Sequence, residues 1–422
     1  MKIAIVDHFG NTGGGSRVVR SLIPAIKRAN PNNEITYFGG QDSVMREGFV
    51  EEFDKCKIDI KYLSSFKIKL GKIITSEIYI RAKSHLNSRP LNELLIFMES
   101  LIESPLFNIT REIERLTGGF DLIFYPWPFH IDCPQINKPM VGIFHDFNYK
   151  YYFSGPQTFS ANSRRNAEKR MPDWLMLCVP IVSSNFIADE LKKFYSFAEK
   201  KVNVIHLPRL TDGAPINRNV AIEVVKKLGV NSQYVLYPTH MVSHKNIGPL
   251  IAAIEILNRN GHKIKLVLTG AGTEVVKGVA TSIGVELNEH HYDVYGLGYV
   301  TNKEIDSLIA CASVVLNCSL YEAGNGSGVD AWAYGTPVAM SNIPSFVENL
   351  SILDVRALLF DSRSPEDIAK NIALILDNPG DFKDEVAYSK RSMTKINWDQ
   401  VGKSYLRVFE KAVHDFNLSD TD

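Results

Sequence analysis

Through most of the chain, short runs of β-branched and aliphatic residues alternate with segments whose apolar positions recur every three to four residues. Residues 2–7 read as a buried strand. Residues 16–29 carry Val18, Val19, Leu22, Ile23 and Ile26 at helical spacing, and residues 34–38 form the next strand. The rhythm resumes with strands at 121–125, 140–144, 180–184 and 202–205, and Ser184-Asn185 opens a helix over 186–194. A looser stretch, 210–220, reads as a linker. Beyond it come strands at 234–238, 265–269, 293–296, 313–317 and 336–340. A helix is expected over 247–258, and another, capped by Thr301, runs to Ala310. The final amphipathic segment, 398–416, has no strand after it. Strands alternating with helices predict an α/β fold. The expected arrangement is two doubly wound halves facing a cleft: residues 1–210 with 396–422, and residues 211–395.

Residues 42–118 break the rhythm and read as a largely helical insert. From 55 to 83 the insert carries Lys55, Lys57, Lys61, Lys67, Lys69, Lys72, Arg81 and Lys83 against Asp59 and Glu77, with apolar residues between. Two readings stay open: a solvated basic face, or peripheral contact with an anionic membrane or acceptor.

Composition narrows the class. The chain has 422 residues and zero formal net charge, with 45% hydrophobic and 22% charged residues. That is ordinary for globular domains and argues against nucleic-acid binding dominated by phosphate contacts. Five cysteines lack CxxC spacing, so a reduced, cytoplasmic setting is expected. No signal-peptide pattern opens the sequence, and no apolar run approaches the length of a membrane span.

Candidate chemistry concentrates between Ser319 and Ser341, in SLYEAGNGSGVDAWAYGTPVAMS. A strand leads to Glu322, then to Gly324, Asn325, Gly326, Ser327 and Gly328. A helix carrying Asp330 follows and stops at Gly335. A glycine-rich turn at a helix N-terminus suits a phosphate, because glycine lets the backbone approach a ligand and the first-turn N–H groups are unpaired. If the intervening segment were helical, Glu322 and Asp330 would lie two turns apart. On spacing alone a plain turn with a solvated glutamate fits as well. The glycine loop at 10–15 is a second strand–loop–helix unit, without the acid that marks a dinucleotide site. His145 ends a strand, where α/β sheets bind ligands; a structural histidine bonded to backbone is the other reading.

Together these residues resemble the E-x7-E region of family-four retaining glycosyltransferases, which have the GT-B fold. The matching motifs are SLYEAGNGSGVDAWAYGTPVAMSNIPS, Gly14-Gly15, Phe144-His145-Asp146 and Val182-Ser183-Ser184-Asn185-Phe186. Further matches are Tyr237-Pro238 with His244-Lys245-Asn246, Leu268-Thr269-Gly270, Gly298-Tyr299-Val300 and Ala357–Asp361. The resemblance implies a UDP- or GDP-sugar donor held mainly by the second domain. It also implies a glycan or lipid-linked acceptor on the first domain, and a last helix crossing back to the first domain. By the same resemblance Glu322 touches the donor sugar, and the backbone of Ala323, Gly324, Asn325, Gly326 and Ser327 holds sugar hydroxyls and phosphate. Asp330 holds the ribose, Lys245 neutralises the leaving diphosphate, and His145 reaches the transferring sugar. Gly14 and Gly15 approach the phosphates, and Tyr299 lies near the base. Retention of anomeric configuration is implied, with no metal and no other cofactor; Asp420-Thr421-Asp422 has a DxD spacing but no strand–loop context. Two departures stand out. The second acid is an aspartate, and His240 replaces an arginine upstream of the lysine. They leave room for a nucleotide-sugar-binding protein without turnover, or for another GT-B enzyme such as an epimerase.

Overall fold

A computed structural model of the chain describes residues 1–8, 14–40, 49–63, 109–128, 131–151, 161–196, 201–208, 216–275, 293–324 and 326–419. The first half contains β1 (Lys2–Asp7), α1 (Gly14–Ala29), β2 (Glu34–Gly39), α2 (Phe49–Lys55) and β3 (Asp59–Tyr62). It continues with α3 (Ile109–Thr117), β4 (Leu122–Tyr125), β5 (Met140–Ile143), α4 (Ala161–Leu177), β6 (Cys178–Val182), α5 (Asn185–Phe194) and β7 (Asn203–Val204). The second half runs α6 (Arg218–Lys227), β8 (Tyr234–Pro238), α7 (Ile247–Arg259), β9 (Lys265–Thr269), β10 (Val294–Gly296), α8 (Asn302–Cys311) and β11 (Val314–Asn317). It ends with α9 (Gly326–Tyr334), β12 (Val338–Ser341), α10 (Pro344–Leu353), β13 (Leu358–Phe360), α11 (Pro365–Asp377), α12 (Lys383–Ser392) and α13 (Trp398–Ser419).

The strands form two parallel sheets. The first has the order β3-β2-β1-β4-β5-β6-β7 and the second β10-β9-β8-β11-β12-β13. Each runs outward one way from its first strand and then the other way. The crevice at the carboxyl ends of β1 and β4, or of β8 and β11, is where such sheets bind ligands. Both faces of each sheet are covered, which is why the strands read as apolar runs rather than alternating ones. In β1, Ile3 and Ile5 pack with Val19, Leu22 and Ile23 of α1 and Tyr405 and Phe409 of α13. Ala4 and Val6 face the opposite way, towards Met171 and Trp174 of α4 and Ile187 of α5. In the second sheet, Val235 and Tyr237 of β8 pack against α7 and α11, and Leu236 against α6, α8 and α9. This is the expected doubly wound α/β architecture, and α13 crosses back to lie along α1. Gly402 allows that approach, since a Cβ there would collide with the Ala25 carbonyl.

The insert departs from expectation at its start. Residues 49–63 supply α2 and β3, and β3 pairs in parallel with β2, so this part belongs to the sheet. Lys55 pairs with Glu51 at 2.8 Å and Lys61 with Asp59 at 3.8 Å. The rest of the basic stretch, on which both readings of the insert rest, lies outside the described residues, as does Asp420–Asp422.

Candidate active site

The site grows out of the β8/β11 crevice. After β8 the chain turns through Thr239–Val242 into a 3-10 turn at Ser243–Lys245, then through a left-handed Asn246 (φ 55°) into α7. The Asn246 side chain donates to the Ser362 carbonyl, 2.5 Å away, and fixes the turn. After β11 the chain passes Cys318–Gly324 and enters α9. The two loops are tied by the Leu320 amide, which donates to the His244 carbonyl at 2.7 Å. This brings the Lys245 ammonium and the Glu322 carboxylate into an ion pair with both side chains largely buried. Ser319 Oγ donates to Glu322 at 2.6 Å and lies 2.8 Å from the Tyr237 hydroxyl. Burial works to raise the Glu322 carboxyl, but Lys245 and the Ser319 hydroxyl outweigh it and hold the group below the usual range.

The helix begins earlier than expected. Gly326, Ser327 and Gly328 form its first turn, so their N–H groups belong to the helix N-terminus. Ala323 and Gly324 remain in the preceding loop, and Asn325 lies outside the described residues. Glu322 is therefore on a loop and Asp330 in the helix, not two turns apart on one helix. Val329, Ala331 and Trp332 are buried beneath, and the Trp332 indole N–H donates to the Arg356 carbonyl at 2.8 Å. Burying an aromatic side chain of this kind contributes about 2–3 kcal/mol. Gly335, with φ 78°, ends the helix as a left-handed stop.

Asp330 is 2% exposed, and its carboxylate accepts from Arg17 Nη1 at 3.1 Å. Arg17 stands in the first turn of α1, two residues after Gly15; Gly14 and Gly15 open that helix instead of lying in the loop expected of them. His240 accepts the Ala271 amide at Nδ1, 3.2 Å away, so its proton sits on Nε2. Burial, and then Lys245, hold its pKa down, so it brings a neutral donor and no cation. His244, buried more deeply, is lowered to about 4 by burial and Lys245. Tyr299 is 61% exposed, with its ring 6.2 Å from that of His240.

The first domain closes over these groups. His145 Nε2 donates to the Pro126 carbonyl at 2.9 Å, and the ring stacks on Trp127 with centroids 4.0 Å apart. His145 is thus bonded to backbone, two residues beyond the carboxyl end of β5. Burial lowers its pKa to about 4, leaving Nδ1 as an acceptor. Its neighbour Asp146 is raised, by burial first and then by the nearby Glu322 charge. The Phe147 amide donates to the Tyr321 hydroxyl at 3.0 Å, and the Ser184 hydroxyl to the Ala323 carbonyl at 3.4 Å. At the start of α5, Glu348 of α10 accepts from the Asn185 amide at 2.6 Å, the Asn185 side chain at 2.9 Å and the Phe186 amide at 2.8 Å.

Several members of the site were missed in the sequence. Arg17, Tyr321 and Glu348 bond to the other domain, and Asp146 feels the Glu322 charge across the cleft. Tyr321 and Asp146 neighbour assigned residues, whereas nothing local pointed to Arg17 or Glu348. His8 follows β1, both its ring nitrogens are buried with no hydrogen-bond partner among the described residues, and burial lowers its pKa to about 3. Among the described residues, no group of three or more His, Cys, Asp or Glu is placed to hold a metal ion.

Residues 221–393 match the family model described as Glycosyl transferases group 1. They are a group 1 glycosyltransferase domain. The domain holds Lys245, Glu322 and Asp330. An uncharacterized glycosyltransferase of Methanocaldococcus jannaschii is 26% identical over 242 residues, which cover 56% of this chain and 60% of that protein. The O-antigen chain mannosyltransferase B of Escherichia coli is 24% identical over 339 residues, covering 78% of this chain and 86% of that one. The structure of Anabaena HepE in complex with UDP-glucose superposes with a TM-score of 0.64 and 14% identity, covering 97% of this chain and all of that one. That likeness establishes the GT-B fold for both halves of the chain. No helix among the described residues is long and apolar enough to cross a membrane.

Proposed function

We propose that the protein transfers a sugar from a UDP- or GDP-sugar to a glycan or lipid-linked acceptor, with retention of anomeric configuration and without a metal. One observation carries this reading: the buried Lys245–Glu322 pair beside the glycine-rich N-terminus of α9, at the switch point of the second sheet. The first-turn N–H groups of α9 and the Lys245 ammonium form a positive pocket for a diphosphate. Glu322 receives donor-sugar hydroxyls, helped by the backbone of Ala323 to Ser327, and Asp330 receives the ribose. His240 donates a neutral Nε2–H near the phosphates, and Tyr299 borders the base. His145 presents Nδ1 to a hydroxyl of the transferring sugar. In the transfer, the bond from the anomeric carbon to the diphosphate oxygen breaks while the acceptor oxygen bonds to the same face of that carbon. The acceptor proton departs with the diphosphate. Lys245 favours the transition state because negative charge grows on the leaving oxygen beside it.

A panel of UDP-, GDP- and ADP-sugars, scored for nucleotide release and sugar transfer, tests this. Turnover of one donor with retained configuration is the expected result. Absence of turnover with every donor and acceptor, despite nucleotide binding, would favour a non-catalytic binding protein.

A further inference from the structure

Arg17 and Asp330 are far apart in sequence and belong to different domains, yet their side chains meet at 3.1 Å, 25% and 3% exposed. Arg17 lies in the first turn of α1, two residues after Gly15. On the donor reading just given, on which this inference rests, the ribose hydroxyls need the same carboxylate. Hydroxyls and guanidinium are all donors, so they compete for it. The charges bear on the outcome. A diphosphate brings several negative charges. Among the described groups around Glu322 and Asp330, Lys245 faces Glu322 and Arg17 faces Asp330, while His240 and His244 are held neutral by burial. Ribose hydroxyls carry no charge, so their taking Asp330 leaves the Arg17 charge in the cleft beside the nucleotide. Arginine suits that exchange, since its planar fork pairs with carboxylate and phosphate alike.

We propose that Arg17 exchanges Asp330 for the donor's diphosphate, so that the first domain supplies the second cation of the donor site. Lys245 then holds the leaving group from the second domain and Arg17 from the first, and donor binding draws the two domains onto one ligand.

The test compares equilibrium binding of UDP and GDP with that of uridine and guanosine, for wild type, Arg17→Gln and Arg17→Lys, each checked for an unchanged circular-dichroism spectrum. Arg17→Gln is expected to weaken the diphosphate at least about tenfold, while the nucleoside binds equally or several-fold tighter because Asp330 no longer has to be released. Arg17→Lys is expected to retain part of the preference for diphosphate over nucleoside. If Arg17→Gln weakens nucleoside and diphosphate by the same factor, Arg17 is only a tie between the domains and the proposal fails. Unchanged diphosphate binding overturns it as well. If the wild type binds neither UDP nor GDP, the donor reading itself falls, and this proposal with it.

Discussion

At the level of single residues, the site balances buried charge against buried neutrality. Lys245 and Glu322 neutralise each other in a place where either charge alone is costly. Glu322→Gln and Lys245→Ala are therefore each expected to lower turnover at least about tenfold, a floor below the roughly hundred- to thousandfold cost of losing one preorganised contact to developing charge. Steady-state kinetics on variants with an unchanged circular-dichroism spectrum checks this; wild-type rates would remove either residue from its role. The histidines set a pH dependence. His8, His145 and His244 have folded pKa values of about 3, 4 and 4, below the ordinary value near 6.5. A depressed group of this kind stabilises fully above the unfolded pKa and loses that contribution as pH falls towards the folded one. Each costs about 1.4 kcal/mol per pH unit below 6.5. His240 is lowered as well, and Asp146, raised by burial, opposes the four histidines as a single group. Urea unfolding at pH 7.5 and 5.5 should thus show clear destabilisation at the lower pH, and equal midpoints would contradict it. Legibility at this scale followed locality. Lys245, Glu322 and His145 sit in contiguous motifs at strand ends. Arg17 has its partner 313 positions away, and nothing local marks such a contact.

At the level of elements, periodicity located most strands and helices because parallel strands covered on both faces must be apolar. β3 escaped it for a physical reason. Asp59-Ile60-Lys61-Tyr62 is an edge strand with only Ile60 partly buried, so its sequence carries neither alternation nor an apolar run. The starts of α1 and α9 were placed two or three residues late, since glycines carry no helix signal and these helices open on them. The crossing of α13 over α1 depends on Gly402. Gly402→Ala should destabilise the protein by about 1–3 kcal/mol despite the better helix propensity of alanine, because the methyl meets backbone that has little room to give. Thermal unfolding at wild-type midpoint would show that the helices can separate without cost.

At the level of the whole molecule, the two sheets are joined around the cleft by a few polar contacts whose loss should change the arrangement more than the fold. Glu348 of one domain caps α5 of the other with three accepted hydrogen bonds, a favourable place for a carboxylate at a helix N-terminus. Glu348→Ala is expected to cost about 1 kcal/mol of capping and to widen the cleft. A larger radius of gyration by small-angle scattering, with unchanged secondary structure, is the predicted result; an identical scattering profile would show that the packing of Tyr321 on the Tyr151 and Phe186 rings of the first domain suffices. None of this interface could be read in advance, because a cleft brings together loops that the sequence lists separately.

The central claim is that a nucleotide diphosphate lies between the N-terminus of α9 and Lys245. A crystal structure of the protein soaked with UDP and GDP in parallel tests it most directly. The account predicts one nucleotide with its diphosphate on the amides of the first turn of α9 and the Lys245 ammonium, and its ribose on Asp330. A nucleotide bound elsewhere, or density for neither at saturating concentration, would contradict it.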